Sequence, residues 1–379
     1  MDGTLKQSEY GHAWVEVDLD ALAFNALQLK KLLPETCELM AVVKTDAYGH
    51  GAKRVAMRLQ TEGVRAFAVA TAGEGVELRE AGLEGEILVL GYTHKRDAGL
   101  LGDYSLTQLI VDGAHAAALD GTGFRLDVHI AVDTGMHRLG IDASNPAEIE
   151  SVFKCRNLTV RGLATHFASS DSLLESDIEF TNLQMERYRD VVDALKEKGY
   201  DAGKLHAQAS FGILNYPEIK CDYARAGIAL YGVMSHNVET VAKPLLKPVL
   251  SLKALVAQVR WIGAGESVSY GRAYRSGKPI RIATVCIGYS DGVPRQMSGN
   301  GGVCLVSRQK VPIIGRICMD LLMIDVTGVD TVKAGDVVTL IGCDGAGEIR
   351  CEDVAEASGT ISNDILCRLG KRLPRVYLG

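Results

Sequence analysis

The stretch Met40-Ala41-Val42-Val43-Lys44-Thr45-Asp46-Ala47-Tyr48-Gly49-His50-Gly51 carries an apolar run that stops on a lysine, with a tyrosine and two glycines close behind. A short, continuously apolar run is the mark of a strand buried on both faces, and the polar residue that ends it marks where the strand leaves the core. The same punctuation recurs. Strands are expected at Met40–Lys44, Ala66–Thr71, Ile87–Gly91, Leu109–Val111, Leu126–Val132, Thr159–His166, Leu205–Ala209 and Tyr223–Gly227, with helix-length segments between them. The clearest helix, Leu173–Tyr200, sets Leu183, Tyr188, Val191, Val192 and Leu195 near helical spacing and stops at Gly199. Eight apolar strands alternating with helices describe an α/β fold, a TIM-type (β/α)8 barrel, more economically than an open doubly wound sheet.

Beyond Pro248 the pattern changes to β runs separated by Gly and Asp: Leu250–Val259, Arg281–Ile287, Val303–Ser307, Ile313–Val326 and Val337–Ile341. These predict a C-terminal all-β domain over 246–379, after a barrel over 13–245, with residues 1–12 joining the β domain. At the start, the alternation Val15–Leu19 and a helix beginning near Asp20 lead into the barrel.

The 379 residues carry a net charge of −6 and 47% hydrophobic residues, which excludes a broad basic face for nucleic acid or an anionic membrane. Anionic ligand groups then depend on a few local arginines. Nine scattered cysteines, with no C-x-x-C pair, fit free thiols in a reducing cytoplasm. Cys318 reads as a small buried hydrophobe. No apolar run reaches membrane-spanning length. The expected location is cytoplasmic, as a free chain or as the cytoplasmic domain of a membrane-anchored parent.

In a parallel barrel, chemistry gathers at the carboxyl ends of the strands. Lys44 stands there, as a surface lysine or as an amine desolvated for Schiff-base formation with an aldehyde cofactor. His166 and Ser210 end other strands. Arg225 sits inside an apolar strand and needs an acceptor in the core. Ser210 and the turn Arg225-Ala226-Gly227-Ile228 offer hydroxyl and N–H groups to a phosphate. Together these are parts for pyridoxal 5'-phosphate: an amine, a phosphate cup and an arginine for the ring nitrogen. A guanidinium there donates a hydrogen bond without giving up its proton, which suits controlled exchange at an α-carbon. No metal is implied.

Six segments, Ala41–Gly51, Asp133–Gly140, Arg225–Gly232, Ser267–Arg272, Gly288–Gly292 and Gly315–Asp320, resemble the alanine racemase family, in order and over nearly the whole chain. The resemblance implies a homodimer with shared active sites. It makes Lys44 both the cofactor-bearing lysine and the base toward the D-isomer. Tyr270, supplied by the partner subunit, becomes the base toward the L-isomer. Tyr48, Ser210, Gly227 and Ile228 would hold the phosphate, His166 and Arg225 would form one hydrogen-bonded chain, Arg138 with the backbone of Met319 from the other subunit would hold the substrate carboxylate, and Tyr289 and Asp320 would line the way in.

Two positions depart from the family. Ala131 stands where many members have a lysine that becomes carbamylated. Asn363 replaces a tyrosine that narrows the site, leaving a wider pocket with an amide for a β-hydroxyl. Asn363 and Met136-His137 resemble the serine racemase domains of vancomycin-resistance proteins. The expected activity is therefore a pyridoxal-phosphate-dependent serine/alanine racemase supplying D-amino acids for peptidoglycan precursors, with a housekeeping alanine racemase as the alternative. A decarboxylase would release CO₂. A non-catalytic cofactor-binding barrel would lack Tyr270 and the C-terminal domain.

Overall fold

The computed structural model describes residues 11–379. Eight parallel strands, Glu38–Val42, Ala66–Val69, Glu86–Val89, Thr107–Ile110, Leu126–Asp133, Leu158–Ala164, Lys204–His206 and Tyr223–Ala226, stand where the apolar runs place them. They form one sheet in which the last strand pairs with the first, Arg225 opposite Met40. The remaining gap is bridged by Asp222 N–H to Leu205 O at 2.8 Å and Arg225 N–H to Gln208 O at 3.0 Å. Residues such as Met40, Phe67, Leu88 and Ile130 are fully buried, so the sheet wraps a packed interior and all carboxyl ends face one mouth.

Helices alternate with the strands. The longest, Glu175–Glu197, buries Tyr188, Val191, Val192 and Leu195, while Leu183 is exposed. Gln184 lies under the helix instead: its amide donates to Thr134 Oγ1 and His166 O and accepts from Ala168 N–H. A buried polar residue thus ties down the His166 loop in a place that hydrophobic periodicity leaves unmarked.

The C-terminal domain is a nine-stranded, mostly antiparallel sheet centred on the long strand Leu250–Ile262. The apolar stretch Ile313–Val326 is two strands, Gln309–Ile314 and Leu322–Asp325, split by the loop Gly315–Asp320. The domain also carries two helices that the sequence reading left out, Cys351–Ser358 and Ser362–Arg368. Strand Ala13–Asp18 belongs to this sheet rather than to a barrel starting at residue 13. It pairs antiparallel with Leu250–Ile262 and parallel with Arg375–Leu378. Of the segment 1–12 only residues 11 and 12 are described, and His12 O accepts from Leu255 N–H of the same sheet.

Helix Ser362–Arg368 reaches back to the barrel mouth. Ser362 N–H donates to Ser235 O at 2.8 Å, and Gly49 lies so close that a Cβ there would stand 2.4 Å from Leu366 O. Among the described residues all nine cysteines are free. No described helix is long and apolar enough to cross a membrane, and no described cluster of ligating side chains is set to hold a metal.

Candidate active site

Strand Glu38–Val42 delivers Lys44 to the mouth, and the chain then takes an uncommon path. Thr45, Asp46, Ala47 and Tyr48 all have φ between 52° and 55°, one turn of left-handed helix made without glycine. Local bonds hold it. Thr45 N–H donates to Glu74 Oε1 at 2.6 Å, and Asp46 Oδ1 accepts from Ala52 N–H at 2.7 Å. Arg375 donates to Gly49 O from Nε and Nη2 at 3.1 and 3.0 Å. The buried His50 ring bonds to the carbonyls of Ala47 and Tyr48 and packs 4.4 Å from Tyr231. Gly51 admits no side chain, because a Cβ would fall 1.9 Å from Tyr377 Oη.

A cavity of about 630 Å³ opens at this mouth, lined by Lys44, Tyr48, Arg138, His166, Ser210, Arg225, Gly227, Ile228 and Asn363 among others. Burial, then the charge of Arg138, lowers the pKa of Lys44 from its ordinary value, which favours the nucleophilic free amine.

Arg225, 5% exposed, is clamped by the barrel interior. Nη1 lies 2.7 Å from His206 Nδ1 and donates to His206 O. Nη2 donates to the carbonyls of Thr165 and Ala207 and lies 3.2 Å from His166 Nδ1. Burial pulls Arg225 down to about 10, so it stays cationic at neutral pH. Burial, then the charges of Arg225, Arg138 and Lys44, pulls His166 to about 3, leaving a neutral ring able to accept from the guanidinium. The Nε–H of Arg225 has no partner among the described residues and remains the donor available to a ligand.

Ser210 Oγ accepts from Gly227 N–H at 3.0 Å and Ala229 N–H at 3.2 Å, with Ile228 between them on the cavity wall. A Cβ on Gly227 would stand 2.7 Å from Tyr48 Oη, so glycine keeps this corner open. Asn363, carried in by helix Ser362–Arg368, has a buried Oδ1 without a partner among the described residues.

The loop after strand Leu126–Asp133 presents Arg138. Asp133 Oδ1 accepts from the N–H groups of Gly135 and His137, Oδ2 lies 3.0 Å from His137 Nδ1, and His137 is left-handed at φ 54°. Burial raises the Asp133 pKa, but these bonds outweigh it and the net shift is downward. Ala131 is buried on the cavity wall. The arginine itself is exposed and makes no hydrogen bond or ion pair with a described residue.

The other expected site residues stand elsewhere. Tyr270, 69% exposed, and Met319, 54% exposed, share a shallow depression with Ser269, Cys318, Asp320 and Leu321. Tyr289 N–H donates to Cys318 O nearby, and Asp320 is paired with Arg372 at 2.7 Å. Met319 thus faces solvent, and Cys318 is part-exposed rather than a buried hydrophobe. None of the four expected residues Tyr270, Met319, Tyr289 and Asp320 lines the Lys44 cavity. Sequence reading missed Glu74, Arg375 and Gln184 as supports; only Glu74 left a signal, the capping box Thr71-x-x-Glu74.

Residues 17–235 match the N-terminal domain of the alanine racemase family, and residues 249–377 match its C-terminal domain. An amino-acid racemase of Enterococcus faecalis is 40% identical over 362 residues, 95% of this chain, which spans 51% of that longer relative. An alanine racemase of Geobacter sp. (strain M21) is 40% identical over 374 residues, covering 96% of this chain and 98% of the relative. The alanine racemase from Bacillus anthracis, solved with bound L-Ala-P, superposes with a TM-score of 0.90 at 34% identity over 98% of this chain and 96% of that one. The histidine racemase from Leuconostoc mesenteroides subsp. sake superposes with a TM-score of 0.86 at 30% identity over 97% and 98%. The chain belongs to the alanine racemase family.

Proposed function

We propose that the protein is a pyridoxal-phosphate-dependent racemase that interconverts L- and D-alanine in a homodimer with shared sites. The observation that carries this is one cavity holding a desolvated lysine, a hydroxyl and backbone N–H corner, and an arginine with a single free N–H. These residues fit the cofactor: Lys44 for its aldehyde, Ser210, Gly227, Ile228 and Tyr48 for its phosphate, and Arg225 Nε–H for its ring nitrogen, with no carboxylate among the described residues touching Arg225. When bound, the group supplies an electron-withdrawing ring that acidifies the α-carbon of an attached amino acid.

The chain's own groups do the rest. Arg138 holds the substrate carboxylate together with Met319 of a second copy, Asp133 and His137 fixing the Arg138 loop in place of a lysine at position 131. Lys44 Nζ takes or returns the α-proton on one face, and Tyr270 Oη of the second copy does so on the other. Phenols are weak acids, so that base needs neighbouring positive charge. The outward exposure of Tyr270 and Met319 supports the shared site.

Matching-length relatives such as the Geobacter and Bacillus anthracis proteins are named for alanine, which favours that substrate. Serine is the second reading, favoured by the unpaired Oδ1 of Asn363 at the cavity wall. The link to vancomycin resistance rests on Asn363 and Met136-His137 alone. The test is kcat/KM for both amino acids in wild type and Asn363→Tyr. An alanine enzyme prefers alanine before and after the change. A site that reads the hydroxyl loses serine turnover roughly 10–200-fold in the variant while alanine is spared.

A further inference from the structure

Among the described residues no carboxylate touches Arg225, and a buried guanidinium without a direct counter-charge is costly. The compensation is relayed. Beyond the 2.7 Å contact of Arg225 Nη1 with His206 Nδ1, His206 Nε2 lies 2.8 Å from His129 Nδ1. His129 Nε2 lies 3.1 Å from Glu86 Oε1, and Tyr223 Oη donates to Glu86 Oε2 at 2.8 Å. The four groups come from four different strands. Glu86 is the first residue of its strand, so the chain of polar contacts runs through the barrel from the cavity to the opposite end, where the Glu86 side chain is 21% exposed.

The order of protons along this chain follows from its cationic end. A guanidinium only donates, so His206 Nδ1 is bare and its proton sits on Nε2. That proton faces His129 Nδ1, which is then bare as well, leaving the His129 proton on Nε2, the nitrogen in 3.1 Å contact with Glu86 Oε1. Burial, then the charge of Arg225, drives His206 well below its ordinary pKa and keeps its ring neutral. Burial pushes Glu86 up, but the bonds from His129 and Tyr223 and the charge of Lys204 outweigh it and hold the carboxylate ionised. Gly162 leaves the room: a Cβ there would stand 2.8 Å from the His129 ring.

We propose that Glu86, His129 and His206 are positioning residues that fix the Arg225 guanidinium with its Nε–H turned to the cavity. A carboxylate in contact with Arg225 would neutralise the cation where it meets the ligand. Placed beyond two imidazoles, it orders the protons and leaves the positive charge at the cavity. The other titratable groups facing the relay are His166, Tyr188, Cys221, Arg138 and Lys44 around Arg225, with Lys204 and Tyr223 around Glu86 and Glu38 and Asp222 beside Tyr223. The inference rests on the reading of the cavity as a cofactor site.

The test combines imidazole ¹⁵N spectra of the holoenzyme with the variants Glu86→Gln and Tyr223→Phe. Expected are Nε2–H tautomers at His206 and His129. In Glu86→Gln, whose amide offers N–H where the carboxylate accepted, cofactor affinity falls roughly tenfold and the pH titration of the visible band moves, while the unfolding temperature holds. Tyr223→Phe shifts the band less, in the same direction. A protonated Nδ1 on His206, or a Glu86→Gln enzyme with wild-type affinity and spectrum, overturns the relay. Should Glu86→Gln fail to fold, the tautomers decide. A wild type that shows no visible cofactor band removes the cofactor reading instead, and the tautomers still test the proton order.

Discussion

Thr45–Tyr48 and Ser269–Arg272 both hold non-glycine residues at positive φ, and they meet that strain differently. Each such residue costs on the order of 1–2 kcal/mol. Around the first segment the cost is met inside one chain, by Glu74, Asp46, Arg375 and the buried rings of Tyr48, His50 and Tyr231. Around the second, Ser269 Oγ donates to Arg316 O at 2.6 Å and Arg272 Nε to Ser267 Oγ at 3.1 Å, while the Tyr270 ring points out. One half of the proposed site is preorganised before anything binds. The other is a shaped surface awaiting a second one.

The largest effect that would test this contrast is at Lys44. Lys44→Ala is expected to abolish the visible band of the lysine-bound cofactor and to cut turnover at least a thousandfold. An unchanged spectrum sinks the assignment of the preorganised half. Tyr270→Phe should slow racemisation about 10²–10⁴-fold in both directions, because the equilibrium between enantiomers cannot change. Lys44 would still exchange the α-proton of the D-isomer with solvent deuterium, and full racemisation in this variant would break the two-base scheme. Dilution comes next. Activity per chain should fall as dimers dissociate while the cofactor band persists, since only one half needs the second copy; a fully active monomer by light scattering would refute the shared site.

The smallest effect concerns His50, which burial pulls down to about 4. With a folded value below the unfolded one near 6.5, the unfolded chain binds more protons. This contribution, up to about 3 kcal/mol, is fully present above pH ~6.5 and is lost as pH falls through about 4. Urea unfolding at pH 7 and 4.5 should show the decline, and His50→Gln should flatten it; an equally steep loss in that variant would mean His50 is not its source.

How far each half was legible follows from what burial does to sequence. Barrel runs such as Ala66–Val69 and Ile87–Val89 are apolar on both faces, so they announce themselves. The turn after Lys44 does not, because Thr, Ala and Tyr carry no preference for positive φ, and only Gly49 and Gly51 hint at it. The split of Ile313–Val326 is hidden because the loop Gly315–Asp320 contributes apolar residues of its own, Ile317 buried and Met319 exposed. Helix Ser362–Arg368 is seven residues long, too short for periodicity to show. The polar partners His206, His129 and Glu86 lie on separate strands, and no local pattern records a bond across a barrel. Tyr270 was legible only through its motif, since nothing in one chain makes an exposed tyrosine chemical.

The place of strand Ala13–Asp18 has a consequence for how the molecule comes into being. It lies between Leu250–Ile262 and Arg375–Leu378, so the entire barrel is threaded between the first strand of the sheet and the second. During synthesis this strand emerges ahead of the barrel and waits, its edges open, while the barrel is made. Its last neighbour arrives only with residues 375–378, and Arg375 and Tyr377 of that same strand brace the turn behind Lys44. Strand partners so far apart in sequence make closure a late, slow event. The lysine at the barrel mouth thus gains its final bracing only when the ribosome has delivered the strand that seals the sheet, so assembly of the β domain times the maturation of the barrel's chemistry.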